Sequence, residues 1–348
     1  MRDLPAGLVV RELTADRAVE WDAFVARCGT ATFFHRAGWR RVIADSFGHR
    51  TYYLFAERGG EICGVLPLVH VASRLFGNTL VSTSFCVYGG PATLDEAARE
   101  ALDGAAVALM SRLGADCLEY RQLARTHADW PCKEDLYATF RRAIDPDPEI
   151  NLKAIPRKQR AVIRQSLARG LTIGEDAEVD RFFALYALSV RNLGTPVFAK
   201  RYFRNLVREF GTDCRILVVH HEGKPVCAVM SFYFRDEVLP YYAGADPAVR
   251  GLGAYDFVYW HLMRDAGLRG LKIFDFGRSK RGTGAFAFKK NWGFTPQPII
   301  HEYRLKDGCA IPDINPLNPR YRLFIAAWKR LPLGIANRLG PLIARDLG

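Results

Sequence analysis

The chain has 348 residues, 49% hydrophobic and 25% charged, with 49 Lys and Arg against 37 Asp and Glu for a formal net charge of +12. That length points to about two domains, and the balance is that of a globular protein able to bury a core without a metal or disulfide staple. The positive excess favours anionic partners such as phosphorylated metabolites, nucleic acid or anionic lipid, and says nothing of fold.

The N-terminal segment MRDLPAGLVVREL is charged and lacks the apolar stretch of a signal peptide. No run approaches about 18 uninterrupted apolar residues, so no membrane span is expected. A cytoplasmic location is the expectation, with contact at the inner face of the membrane left open. The cysteines at 28, 63, 86, 117, 132, 214, 227 and 309 are scattered without a CxxC pair. They read as buried, reduced thiols, and neither zinc nor disulfides are expected.

In chain order, residues 29–48 (GTATFFHRAGWRRVIADSFG) predict a basic amphipathic helix closing on Phe-Gly, and residues 49–69 a strand, a turn and a strand. SFCVYGGP at 84–91 follows a strand, so Tyr88 either lies against a ligand or belongs to a plain glycine turn. A long helical stretch over 92–113 precedes the short strand ADCLEY. The breakers Asp145-Pro-Asp-Pro148 close the first half. Residues 151–170 (NLKAIPRKQRAVIRQSLARG) read as a bridging helix rich in base and free of acid, with Arg157 and Arg160 as either a solvated face or an anion cradle.

The second half repeats the first. Residues 194–211 (GTPVFAKRYFRNLVREFG) again run from Gly-Thr through an amphipathic helix to Phe-Gly, and 212–234 again give two strands about a turn. Glu222, Gly223 and Cys227 answer Glu57, Gly59 and Cys63. A helix over 253–268 precedes LKIFDF as 92–113 precedes ADCLEY. Four elements in one order define a repeat. Each half reads β-α-α-β-β-β-α-β, an α+β unit with mixed, largely antiparallel strands. The expected domains are 1–150, 151–305, and a proline-rich linker with a basic amphipathic tail at 306–348. That tail is either packed on the second domain or docked on a membrane or partner, since Lys329, Arg330, Arg338 and Arg345 lie among large apolar residues.

Chemistry concentrates in residues 274–294, FDFGRSKRGTGAFAFKKNWGF. Within 278–290, Arg278, Lys280, Arg281, Lys289 and Lys290 occur without a carboxylate, and glycines at 277, 282 and 284 let backbone N–H groups approach an anion. That combination suits a phosphate-bearing substrate. A second signal is ADPAVRGLGAYDF at 245–257, a strand-turn-helix transition that resembles the turn receiving the pyrophosphate of coenzyme A in acetyltransferases, which implies that role for Arg250, Gly251 and Gly253. The usual Gln/Arg-x-x-Gly-x-Gly/Ala pattern is met at Arg250 and Gly253 and departs at Tyr255. No Ser-His-Asp spacing, HExxH or P-loop occurs, and the eight histidines are dispersed.

The tandem halves, the basic bridge and FDFGRSKRGTGAFAFKKNWGF, with Phe286, Lys289, Trp292 and Gly293 in aromatic-x-x-Lys-x-x-aromatic-Gly spacing, resemble the FemAB family of GNAT-fold acyl- and aminoacyltransferases. NLGTPVF, SFYFRDEVLPYYAGA and the NPLNPRYRLF…ARDLG tail are most similar to the FemAB-like proteins encoded with exosortase/PEP-CTERM exopolysaccharide systems. The resemblance implies two tandem GNAT-like domains and acyl or aminoacyl transfer to an amine of a phosphorylated envelope or polysaccharide precursor. The donor would be acyl-CoA or aminoacyl-tRNA, with no permanently bound cofactor and no metal. It further implies a catalytic role for Lys289, with Asp275 as acid/base or orienting group. Substrate binding falls to Arg278, Lys280, Arg281, Gly282, Gly284, Trp292, Tyr88, Arg157 and Arg160. Staphylococcal-type members often carry a coiled-coil arm associated with tRNA, and no heptad insertion is visible here. CoA-dependent N-acetylation of an amino sugar, or a non-catalytic scaffold for phosphorylated glycan or lipid, are the competing readings.

Overall fold

A computed structural model describes residues 7–73, 76–312 and 322–347. The first half gives β1 (Leu8–Glu12), α1 (Ala18–Arg27), α2 (Gly38–Phe47), β2 (Arg50–Arg58), β3 (Glu61–Ser73), β4 (Gly77–Ser82), β5 (Ala92–Thr93), α3 (Glu96–Leu113), β6 (Cys117–Gln122) and β7 (Cys132–Lys133). Then come β8 (Tyr137–Thr139), β9 (Arg141–Ala143), α4 (Pro148–Ala154) and α5 (Arg157–Leu167). The second half gives β10 (Leu171–Glu175), α6 (Val179–Leu193), α7 (Lys200–Phe210), β11 (Cys214–His221), β12 (Lys224–Phe234), β13 (Glu237–Ala245), α8 (Ala254–Leu268) and β14 (Ile273–Asp275). It closes with β15 (Ser279–Lys280), α9 (Gly284–Asn291), β16 (Gln297–Pro298), β17 (Ile300–Leu305), α10 (Arg322–Trp328) and α11 (Leu333–Ala344).

Two compact units result, each of the α+β class. In the first the sheet order is β1-β2-β3-β4-β6-β17-β7, antiparallel except for the parallel pair β4–β6. In the second the order is β10-β11-β12-β13-β14-β9, antiparallel except for the parallel pair β13–β14. Beyond each parallel pair the next strand comes from the other half of the sequence: β17 in the first sheet, β9 in the second. The domain limits expected at 150 and 305 therefore differ from the observed ones. Residues 136–298 and 322–344 form the second unit, and 299–305 pair into the first.

The cores follow the periodicity. On α3, Ala98, Leu102, Ala106 and Leu109 pack on Leu54, Leu66, Leu68 and Leu118, apolar positions of the first sheet. On α8, Trp260, Met263 and Ala266 join Phe274, Phe276, Trp292 and Phe294. The bridging segment is two helices, not the single one expected. Ile155 is extended (φ −83°, ψ 138°), because the ring of Pro156 disfavours helical geometry in the residue before it. The tail is likewise divided at Pro332, and α11 packs against α6. Its linker, 313–321, lies outside the described residues. No helix among the described residues is long and apolar enough to cross a membrane.

Candidate active site

In the second unit, β13 and β14 pair in parallel for two residues, Glu237↔Ile273 and Val238↔Phe274. β14 then stops at Asp275 while β13 continues to Ala245, so the two strands part. Beyond Val238 that edge of β13 has no strand partner among the described residues. The register against β12 slips between Met230 and Ser231, leaving Tyr241 as an extra residue in β13. A bulge of this kind re-aims the local backbone groups.

The chain leaves β13 through a short 3-10 turn at Pro247–Leu252 and enters α8 at Gly253, whose left-handed φ of 68° suits glycine. The N-cap residue, Gly253, offers no side chain to the first turn of α8, and the acid in that turn is the buried Asp256. Arg250 and Gly251 are exposed. Arg169, from the end of α5, holds the turn by donating to the Gly251 carbonyl. Tyr255, where a small residue was expected, directs its hydroxyl to within 3.3 Å of Ser189 Oγ on α6, and burial pushes its pKa up to about 12.

The 274–294 segment serves internal architecture more than the sequence suggested. Lys289, expected to meet substrate phosphate, instead donates from Nζ to the carbonyls of Phe276 (2.6 Å), Gly277 (2.9 Å) and Arg278 (3.2 Å). Burial lowers its pKa to about 7 against the pull of Asp275. Three acceptors use all three ammonium protons, so the lysine clamps the turn after β14. Asp275, at 0% exposure, accepts from Thr139 Oγ1 (3.0 Å) and Gly277 N (2.7 Å) and pairs with Arg141 Nε at 3.2 Å. It is a turn-organising carboxylate. Trp292, expected at substrate, is fully buried and donates its indole N–H to Asp256 (3.0 Å). The helix start at Gly284 is already capped, since Thr283 Oγ1 accepts from Phe286 N. Arg278 stacks over Tyr137 at 4.6 Å and Arg281 over Phe286 at 5.8 Å. Lys280 sits in β15 against Tyr137, while Gly282 (φ 78°) is exposed.

Asp256 joins three of the segments. It accepts from Trp292 beyond α9 and from Gln159 on α5, while itself lying in the first turn of α8. Gly293 (φ 80°) continues the joint, because a Cβ there would stand 2.8 Å from Pro156 Cδ at the start of α5. The exposed Arg157 and half-buried Arg160 of α5 thus belong to a helix fixed against the start of α8. Tyr88 belongs to the first unit. It is buried there beside Phe34, so its ring is core rather than a ligand platform.

Two further residues carried no sequence motif. Glu237 opens β13, and Arg141 of β9 binds it while also pairing with Asp275. One guanidinium between two carboxylates leaves a surplus negative charge. Burial, and then Asp275, push the Glu237 pKa up to about 7 despite Arg141. Its side chain retains 21% exposure, so a group poised near neutrality sits at the paired start of β13, opposite Ile273. Among the described residues no cluster of His, Cys, Asp and Glu could hold a metal ion.

Residues 157–290 match the family model described as an acetyltransferase (GNAT) domain. Among solved structures, FemX is similar with a TM-score of 0.69 and 16% identity, over 91% of this chain and 100% of FemX. A tandem GNAT protein from the clavulanic acid biosynthesis pathway is similar with a TM-score of 0.53 and 13% identity, over 87% of this chain and 100% of that one. No curated protein matches the chain. The fold is that of two tandem GNAT-like domains, and the protein is an acyltransferase whose GNAT domain lies in the second unit.

Proposed function

We propose that the second unit transfers an acyl group from acyl-CoA to an amine on a phosphorylated envelope or polysaccharide precursor, peptidoglycan or exopolysaccharide. The observation that carries the reading is the start of α8, where the N-cap Gly253 offers no side chain, reached through the Pro247–Leu252 turn from a strand that outruns its parallel neighbour. The donor pyrophosphate lies on the α8 amides beside Arg250, Gly251 and Gly253, and its acyl arm runs along the free edge of β13. The acceptor nitrogen attacks the thioester carbonyl, the new C–N bond forms, and the C–S bond breaks to release thiolate. Glu237 takes the proton lost by the amine, and Arg141 stabilises its ionised form. Positioning supplies most of the remaining acceleration, so no covalent enzyme intermediate is needed. The basic residues Arg157, Arg160, Arg278 and Arg281 serve the acceptor's phosphate.

Calorimetry with acetyl-CoA and, separately, a tRNA pool tests the donor. Acetyl-CoA is expected to bind, and Gly251→Asp to weaken it about tenfold or more by placing a carboxylate at the helix start. A Cβ at Gly251 meets nothing within 4 Å, so the fold is not at stake. Binding of tRNA without acetyl-CoA would replace this donor with aminoacyl-tRNA, and binding of neither would overturn the reading.

A further inference from the structure

The α11 helix packs on the protein by its small side. Ala336, Gly340 and Ala344, spaced four apart, are the residues buried on it. A Cβ on Gly340 would stand 2.8 Å from Val197 N, so that face approaches backbone directly. Its large apolar residues point the other way. Ile335, Leu339 and Leu342, at i, i+4 and i+7, are 46%, 44% and 66% exposed. On α10, Leu323 is 84% exposed and Phe324 40%, and Leu193 at 68% adjoins Gly194, on which Ile325 of α10 packs. A helix held to its own domain by alanine and glycine, with leucines left outside, inverts the usual amphipathic arrangement.

The charge on α10, α11 and the turn between them is basic. Residues 323–344 contain Lys329, Arg330 and Arg338 and no acid, while Arg345 beyond them pairs with Asp346 at 3.3 Å. Lys329, Arg330 and Arg338 are exposed, with Arg338 adjoining the Ile335–Leu339–Leu342 stripe. Large apolar residues flanked by cations fit the boundary between headgroups and acyl chains of an anionic bilayer, where leucine enters the apolar layer and arginine meets phosphate.

We propose that α10 and α11 form a docking surface for anionic phospholipid bilayers, holding the protein at the membrane face without crossing it. The surface is separate from the residues assigned to acyl transfer, so it stands or falls independently of the donor.

Flotation of the full chain with vesicles tests it. Vesicles of phosphatidylcholine with phosphatidylglycerol are expected to carry the protein, and pure phosphatidylcholine vesicles to carry several-fold less. Leu339→Asp with Leu342→Asp is expected to weaken binding at least tenfold, and Arg330→Glu with Arg338→Glu to weaken it several-fold and remove its salt dependence. All four positions are exposed, and an unchanged thermal melt confirms that the variants fold. Absence of binding to anionic vesicles would overturn the proposal. So would full binding by the leucine variant, which would place the contact on another basic surface. A concentration-dependent dimer abolished by the leucine variant would also overturn it, giving the stripe to a second copy of the chain.

Discussion

The two units repeat one sheet order and treat the space beside their parallel strands differently. In the first, the chain leaving β4 turns back at once. Gly89 N donates to the Arg121 carbonyl at the end of β6 (2.7 Å), and Gly90 N donates to Ser82 Oγ at the end of β4 (2.8 Å). Arg121 also donates to the Cys86 carbonyl. The loop 83–91 thus laces together the ends of β4 and β6. The helix that follows, α3, then begins under its own cap: Asp95 accepts from Ala98 N (2.9 Å) and pairs with Arg58 (2.9 Å). In the second unit the pairing of the parallel strands ends after Val238, and α8 starts from a glycine N-cap with no side-chain cap, its first-turn acid Asp256 being taken up by Trp292 and Gln159. A repeated frame does not repeat a site. Whether a helix start can take an anion depends on whether the chain has already supplied one.

The largest effect should come from disturbing the laced loop. A Cβ at Gly89 would lie 2.0 Å from the Ser82 carbonyl oxygen, a backbone atom that no rotamer change can move. Gly89→Ala is expected to cost more than about 4 kcal/mol and to remove most folded protein in a thermal melt. Gly104→Ala, in the middle of α3 with nothing within 4 Å of the new Cβ, should stabilise by about 0.5–1 kcal/mol and serves as its control. A well-folded Gly89→Ala protein would mean that the loop does not fill the gap.

Next in size is the chemistry claimed for the open unit. Glu237→Gln keeps the shape and removes the base, with an expected loss of about a hundredfold in turnover at an unchanged melt. Because its folded pKa is raised to about 7, the wild-type rate should climb as pH rises through that value and the carboxylate ionises. The glutamine variant should lack that limb. A variant with the same pH profile would take the proton from Glu237 and give it to another group.

The repeat was legible because its signals are local: amphipathic helices, two-strand hairpins and glycine stops each lie within some twenty residues. The strand exchange was not. β9 is only Arg141–Ala143, too short for alternation, and its partner Ile273–Asp275 lies far along the chain. For the same reason Glu237 and Arg141, separated by 96 positions, gave no motif. The 274–294 segment shows the opposite failure. Its composition pointed to anion binding, yet spacing alone does not reveal that three carbonyls take the Lys289 protons or that Trp292 is inside the core. The α8 turn at Arg250–Gly253 was visible as a strand-turn-helix pattern, and its bare cap was a matter of geometry.

The smallest effect makes the sharpest test of the contrast. Asp95→Ala uncaps α3 and so gives the first unit the bare helix start that the second already has. Losing the cap should cost about 1 kcal/mol, and the exposed pair with Arg58 adds little. A fall in Tm of about 2–4 °C is expected. Arg58, and then the Ala98 amide, hold the Asp95 carboxyl below its usual range. Its contribution is therefore present above the unfolded carboxyl pKa and is lost as pH falls through the depressed folded value. The gap between wild type and variant should be full at neutral pH and close in acid. Acetyl-CoA stoichiometry should stay at the wild-type value, because the loop 83–91 still occupies the ends of β4 and β6. A second acetyl-CoA bound to the variant would show that the cap alone, and not the filled gap, separates the two units.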